Sequence, residues 1–154
     1  MEAANKRNEQ RRETFRKEER LRLRTLVERL FAEGKNIYEF PLRLTWRIVK
    51  EGEMEEMFRH GVPEGIGKMQ VLFTIPKKKR RKAVDRVLMR RRLREAYRLN
   101  RLPLKEKVES DGGIRSLEMA FIYLKDENCD YAEIEEKMQR LLERLARKIK
   151  GKGE

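Results

Sequence analysis

Between Lys77 and Arg98 the chain carries twelve basic side chains against two acidic ones, within the run PKKKRRKAVDRVLMRRRLREAYR. Charge at this density does not enter a core, so any fold of this chain must hold the segment at its surface. The run begins directly after an apolar stretch and turns into a helical pattern. There Arg86, Arg90, Arg94 and Arg98 recur four apart, on one helical face. Like charges in one stripe repel each other unless something negative faces them, and a polyphosphate chain is the natural counterpart. The net charge of +13 and the pI near 10.1 extend that argument to the whole chain.

With 154 residues there is room for one domain and little spare length. Charged residues make up 44% and hydrophobic ones 38%, so the core is small and its outer faces ionic. No apolar run approaches the roughly 18 residues of a spanning helix, and the N-terminus has no signal-peptide core. The chain is accordingly expected to be soluble and cytoplasmic, with no membrane partner. A single cysteine, Cys129, rules out an internal disulfide and suits a reducing compartment. It lies in DENCDY with no histidine near it in sequence, and reads as incidental rather than reactive. His60, the sole histidine, lacks a partner for a zinc site or a Ser–His pair and reads as an exposed loop residue.

Residues 1–18 read as a basic tail, polar and poorly suited to order on its own. Leu23, Leu26, Val27, Leu30 and Phe31 recur at helical spacing, and Gly34 supplies a stop, which predicts a first helix over about 20–33. A short strand is expected around Asn36–Phe40. In PLRLTWRIV, Leu42, Leu44, Trp46 and Ile48 alternate with Arg43, Thr45 and Arg47. That is a strand with one face in the core and the other left open as part of a basic surface. Residues 50–68 read as a glycine-rich loop with a helical turn near Glu53–Phe58. MQVLFTI gives the next strand, ended by Pro76, and Lys77–Lys82 lead into the basic helix at about 83–99. On that helix Arg86, Arg90, Arg91, Arg94 and Arg98 share one half, and Leu88, Met89, Leu93, Ala96 and Leu99 the other. Val87 falls in the arginine half, while Arg92 falls on the apolar side, where its stem must snorkel. Pro103 is expected to open a linker through Gly113. LEMAFIYL, apolar on both faces, reads as a buried central strand. Asp130 and Glu133 open a last helix whose apolar side runs from Tyr131 and Ile134 through Leu145 to Ile149. The expectation is an α+β fold, a two-layer α/β sandwich in the order α-β-β-β-α-β-α. It holds a single domain at 19–149, and 150–154 fray.

Against these elements the functional readings sort themselves. A merely solvated basic helix does not account for a loop run and a stripe that are contiguous and nearly free of acids. PKKKRR also has the look of a nuclear import string, but the helix that follows gives its charges another use. A membrane-surface protein is a further reading of the same charge. Base-specific readout lacks a helix-turn-helix or zinc-finger framework, whereas arginine forks suit phosphate and folded RNA. Among the aromatics, Phe31 and Trp46 read as core, and Tyr38 and Phe40 as the better candidates for stacking on unpaired bases. Catalytic constellations are absent: no GxSxG, HExxH or Walker loop occurs, and the basic helix offers a two-metal nuclease only Asp85 and Glu95.

Four stretches then resemble the protein subunit of bacterial ribonuclease P. ERLRLRTLVERLFAEGK is similar to its first helix, and FTIPKKKRRKAVDR to its strand-to-helix passage. RRRLREAYRLN is similar to its conserved basic helix, and MAFIYLKDENCDYAEIEEKMQRLLERL to its last strand and helix. Together they span most of 19–147 in the right order. The family typically has Arg-Asn-Arg where this chain has Arg86, Val87 and Leu88, so only the first residue matches. Arg90, Arg91 and Arg94 are then expected to carry more of the RNA binding. The resemblance implies an α/β sandwich with a left-handed βαβ crossover. It also implies a role in removing the 5′ leader of precursor tRNA, as a subunit of an endonuclease (a hydrolase) whose RNA carries the catalysis. The RNA-binding residues implied are Lys77, Lys78, Lys79, Arg80, Arg81, Lys82, Arg86, Arg90, Arg91, Arg94 and Arg98. A leader cleft would comprise Leu21, Val27, Phe31, Tyr38, Arg43, Thr45 and Lys78. No catalytic or metal-binding residue is assigned to the chain, and magnesium is expected at the RNA active site. The implied partners are the catalytic RNA and precursor tRNA, with the protein otherwise monomeric. The competing reading is a non-catalytic RNA-binding module, ribosome-associated or an RNA chaperone.

Overall fold

The computed structural model describes residues 15–152, with side chains through Ile149; the expected tail up to residue 14 and residues 153–154 lie outside the described residues. Strands β1 (Lys35–Glu39), β2 (Leu42–Lys50), β3 (Met69–Thr74) and β4 (Ile114–Tyr123) form one mixed sheet in the order β1-β2-β4-β3. β2 pairs antiparallel with β1 and β4, while β3 runs parallel to β4. Five α-helices pack with it: α1 (Arg24–Glu33), α2 (Glu53–Met57), α3 (Ala83–Asn100), α4 (Leu102–Ser110) and α5 (Tyr131–Lys152). A parallel neighbour needs a long crossover, and α3 and α4 supply it between β3 and β4.

β4 is central and buried on both faces, as its unbroken apolar run requires. Leu117, Met119, Phe121 and Tyr123 enter a larger core closed by α3, α4 and α5, while Ala120 and Ile122 enter a smaller one closed by α1 and α2. The apolar side of α5 sits in the larger core from Ile134 to Ile149. Each fully buried leucine or isoleucine there contributes roughly 1.5–3 kcal/mol relative to exposure.

Helices therefore cover both sheet faces, and the face carrying Arg43, Thr45 and Arg47 is not open. Thr45 is buried under α1, and Arg47 is nearly buried. The reason is the second leucine set: Leu26 and Leu30, four apart, need an apolar surface, and Val49, Ala120 and Ile122 provide it. The expected linker after Pro103 is helix α4 instead. Pro103 stands in the first turn, where its missing N–H costs nothing, and Leu104 and Val108 bury one side. With α2 and α4 included, the element order is α-β-β-α-β-α-α-β-α.

The first helix begins at Arg24, not near residue 20. Upstream, Phe15–Leu23 form an N-terminal strap with a short 3-10 turn at Lys17–Glu19. Arg20 forms a parallel bridge with Val71, and the Leu21 amide donates to the Val71 carbonyl at 3.0 Å. The edge of β3 outcompetes helical bonding there, and Leu21 is drawn into the smaller core. Gly67 marks the closest approach of the strap. Its amide donates to the Glu18 carbonyl at 3.1 Å, and a Cβ there would stand 2.6 Å from that oxygen. The Phe15 ring packs on Phe73 and Tyr97. Arg101, with only 1% of its side chain exposed, pairs with Glu19 at 3.1 Å. Phe15 to Glu18, assigned above to a tail, are thus held at the sheet edge, with the Phe15 ring packed on the core. At the other end α5 continues to Lys152, past the expected fraying point.

On the smaller-core face Arg47 meets three carboxylates: Glu53 at 3.1 Å, Glu33 at 3.2 Å and Glu118 at 3.3 Å. Glu118 is fully buried, and its Oε2 has no hydrogen-bond partner; nor has Oε1 of Gln70, its register neighbour on β3. Burial pushes the Glu118 carboxyl up to about 7, only partly offset by Arg47. A carboxyl harder to ionise folded than unfolded stabilises the fold below its ordinary pKa and loses that contribution as pH rises through the folded value. Stability should therefore decline between pH 4.5 and about 7. Glu118→Gln should flatten that decline in urea midpoints measured across this window.

Candidate nucleic-acid interface

The basic loop is held in one shape by its own arginines. Amides of Lys79 and Arg80 donate to the Pro76 carbonyl at 2.9 and 3.2 Å, closing a turn after β3. Arg80 pairs with Asp85 at 2.9 Å and donates to the Asp126 carbonyl at 2.7 Å, tying the loop to the β4–α5 connection. Arg86, one turn into α3, reaches back to the carbonyls of Arg80 and Arg81 at 2.9 and 2.7 Å. Asp85 also suits the first turn, where the helix dipole favours a negative charge. Around this brace Lys78, Lys79, Arg81 and Lys82 line an open hollow of about 490 Å³ with Arg80, Asp85 and Asp126.

Further along α3, Met89, Leu93, Ala96 and Tyr97 are buried. Leu88 is half-buried against the larger core, and Val87 is 53% exposed. Arg92 does snorkel: its guanidinium donates to the Cys129 carbonyl. Cys129 is itself buried, with Sγ 2.8 Å from Glu133, and burial pushes its thiol up to about 12, which leaves no thiolate at neutral pH. His60 is exposed. Arg98 is gripped by Glu95 at 2.6 and 3.2 Å, and those bonds hold the Glu95 carboxyl below its usual range.

The eleven cations expected at the interface thus divide by use. Arg80, Arg86 and Arg98 serve the fold. Lys77, Lys78, Lys79, Arg81, Lys82, Arg90, Arg91 and Arg94 have no carboxylate within ion-pair range among the described residues. Of these, only Arg90 is even half-buried. The inward role of Arg98 was legible in its three-residue spacing from Glu95; the backward reach of Arg80 and Arg86 was not, because it depends on the loop's shape.

The second expected site is only partly assembled. Strand register sets Tyr38, Arg43, Ile122 and Thr74 in one row across the sheet, on the side facing α1. Tyr38 and Phe40 are 57% and 62% exposed. Arg43 is half-buried, and its Nε is shielded from solvent without a hydrogen-bond partner. Val27 and Phe31, four apart on α1, share a face; Phe31, read above as core, is 44% exposed. Leu21 and Thr45 do not belong with them. Leu21 is buried in the smaller core, and the buried Thr45 hydroxyl donates to Asn36 at 2.6 Å. Lys78 lies beyond the end of β3, on the opposite edge from Tyr38. Among the described residues no group of three or more His, Cys, Asp or Glu side chains is arranged to hold a metal ion. Nor is any described helix long and apolar enough to cross a membrane.

These features define a small basic α+β protein with a dense cluster of exposed cations on one helix and the loop that leads into it. The Ribonuclease P family model matches residues 15–146. The chain is 32% identical over 130 residues to the ribonuclease P protein component of Porphyromonas gingivalis in two strains, covering 84% of this chain and 85% of each relative. The fold superposes on the RNase P protein of Thermotoga maritima with a TM-score of 0.55 at 25% identity, over 82% of this chain and 96% of that one. The Staphylococcus aureus RNase P protein gives a TM-score of 0.53 at 13% identity, over 82% and 94%. The chain belongs to the bacterial ribonuclease P protein family, the protein component of that ribonucleoprotein enzyme, and so to the RNA-binding proteins of tRNA processing.

The division of the cations has a direct consequence for stability. Arg80→Ala should lower stability by about 1.5–3 kcal/mol, the range for losing charged hydrogen bonds. Arg91→Ala and Arg94→Ala should change it by less than about 0.5 kcal/mol, as surface substitutions do. Thermal melts of the three variants check this.

Proposed function

We propose that this chain binds the catalytic RNA of ribonuclease P through Lys77, Lys78, Lys79, Arg81, Lys82, Arg90, Arg91 and Arg94. One observation carries the proposal: these cations are held close together on a braced loop and helix, and no carboxylate among the described residues pairs with them. Desolvated or crowded cations without partners are an unfavourable arrangement until phosphates cover them. Arg80, Arg86 and Arg98 act as positioning residues that keep the others in place.

The 5′ leader of precursor tRNA is proposed to lie along the row of Tyr38 and Arg43, flanked by Val27 and Phe31 on α1. Arg43, half-buried in the row, supplies the positive charge there that a phosphate would meet. Exposed Tyr38 and Phe40 offer rings for stacking. Cleavage itself is assigned to the RNA, with magnesium ions held there. The protein's part is to lower the repulsion among polyanions brought together at the junction. We also propose that one RNA-binding domain spans residues 19–149, that the β3–α3–α4–β4 crossover is left-handed as in the family, and that the protein works as a cytoplasmic monomer within the ribonucleoprotein.

Reconstitution with a bacterial ribonuclease P RNA at low magnesium should accelerate precursor cleavage; no stimulation across a magnesium and salt titration would overturn the proposal. Charge reversal at Arg90, Arg91 and Arg94 together should abolish binding in a filter assay while circular dichroism stays native. Val87→Asn, on the exposed side of α3, should raise affinity by restoring the family's usual residue there.

A further inference from the structure

The N-terminal strap displays a second set of cations that the basic helix does not account for. In the segment RLRLR, Leu21 is buried and Leu23 half-buried, while Arg20, Arg22 and Arg24 are exposed. A helix over these residues would set Arg20 and Arg24 on one face and Arg22 on the other. The extended strap instead commits its leucines to the core and leaves all three arginines in solvent. Between Arg16 and Arg24 there are five basic residues and two acidic ones, and one of the acids, Glu19, is already held by buried Arg101. Arg24 pairs with Glu28 at 2.7 Å, but its side chain is 91% exposed, and such a surface pair is worth little against a phosphate.

The strap is also pinned rather than loose. Glu18 accepts from Gly67, Leu21 donates to Val71, and Phe15 packs on Phe73 and Tyr97. Its arginines therefore leave a fixed backbone, which reduces the ordering cost of binding. Its direction matters too. The bridge between Arg20 and Val71 is parallel, so the strap runs the same way as β3 and ends at the same end of the sheet as the Lys77–Lys82 loop. Phe15 touches Tyr97, one turn after Arg94 on α3. Tyr38 itself stands on β1, the opposite edge of the sheet.

We infer that Arg20, Arg22 and Arg24 form a second anchor for the ribose-phosphate backbone of the catalytic RNA, along the β3 edge of the sheet. This rests on the proposed binding of that RNA by α3. The test is the triple variant Arg20→Gln, Arg22→Gln, Arg24→Gln, assayed for binding to a bacterial ribonuclease P RNA without precursor tRNA, over a range of salt. Beside it stand the α3 charge-reversal variant and a triple Arg→Lys variant. The glutamine variant should bind at least about tenfold more weakly at low salt, and its slope of log affinity against log salt should be shallower by about 2–3, roughly 0.7–0.9 per lost phosphate contact. The lysine variant should restore most of that slope. If the glutamine variant matches wild type while the α3 variant fails, the strap is not an anchor and the α3 reading stands. If neither variant weakens binding, both readings fall. A loss confined to leader-bearing precursor, with catalytic RNA bound normally, would also overturn the inference. Should melting curves show the triple variant unfolded, Arg22→Gln alone carries the same test with a slope change of about one contact.

Discussion

Repulsion among cations crowded along one helix is the constraint that organises this molecule. Twelve basic side chains between Lys77 and Arg98 cannot all face solvent in a single stripe without cost, nor can they be buried. The fold divides them. Arg80, Arg86, Arg92 and Arg98 spend their donors on carbonyls and carboxylates of the chain itself. The remainder form no ion pair with any carboxylate among the described residues. Internal ion pairing thus does two things at once: it relieves part of the repulsion and fixes the backbone from which the other cations project. The brace is small, a matter of a few bonds around one loop, yet the geometry of the whole interface depends on it.

The same residue type is used in the interior for the same end. Arg47 draws α1, α2 and β4 together through Glu33, Glu53 and Glu118. Arg101 holds the strap by Glu19 and lies against the Tyr97 ring. A planar guanidinium with several donors can satisfy groups from separate elements, which an ammonium does less well. Such buried pairs are not strong sources of net stability, because both partners lose water. Their use here is in alignment. They set the helices against the sheet and leave Glu118 as a carboxyl whose desolvation outweighs its partner.

The described residues contain no group of three or more potential metal-ligating side chains, and the sole cysteine is sequestered with a raised pKa. What the surface offers is positive charge in a fixed layout, with aromatic rings Tyr38 and Phe40 at the far edge of the sheet. For a family whose members are protein components of a ribonucleoprotein, that layout is the part of the activity a short basic chain is able to supply.

Much of this was legible in the sequence, since hydrophobic period and charge density are local properties. The central strand β4, the alternation of β2, the amphipathic α5 and the exposed position of the Lys77–Lys82 run all followed from them. Four matters did not. Residues 20–23 fit a helical period, but the β3 edge at Val71 offered hydrogen bonds that a helix could not match. α4 was hidden by Pro103, whose meaning reverses at a helix N-terminus. The face of Arg43 and Thr45 was expected to be open because α1's leucines could not be assigned a partner surface. Arg80 and Arg86 looked identical to their neighbours, since a charge's partners are set by which loops and turns approach it. The sequence by itself determined that this chain would fold as a small α+β protein with a cationic helix, because composition and periodicity decide what can be buried. Only the tertiary structure decided which cations remain available, because that depends on distances of a few ångströms between segments far apart in the chain.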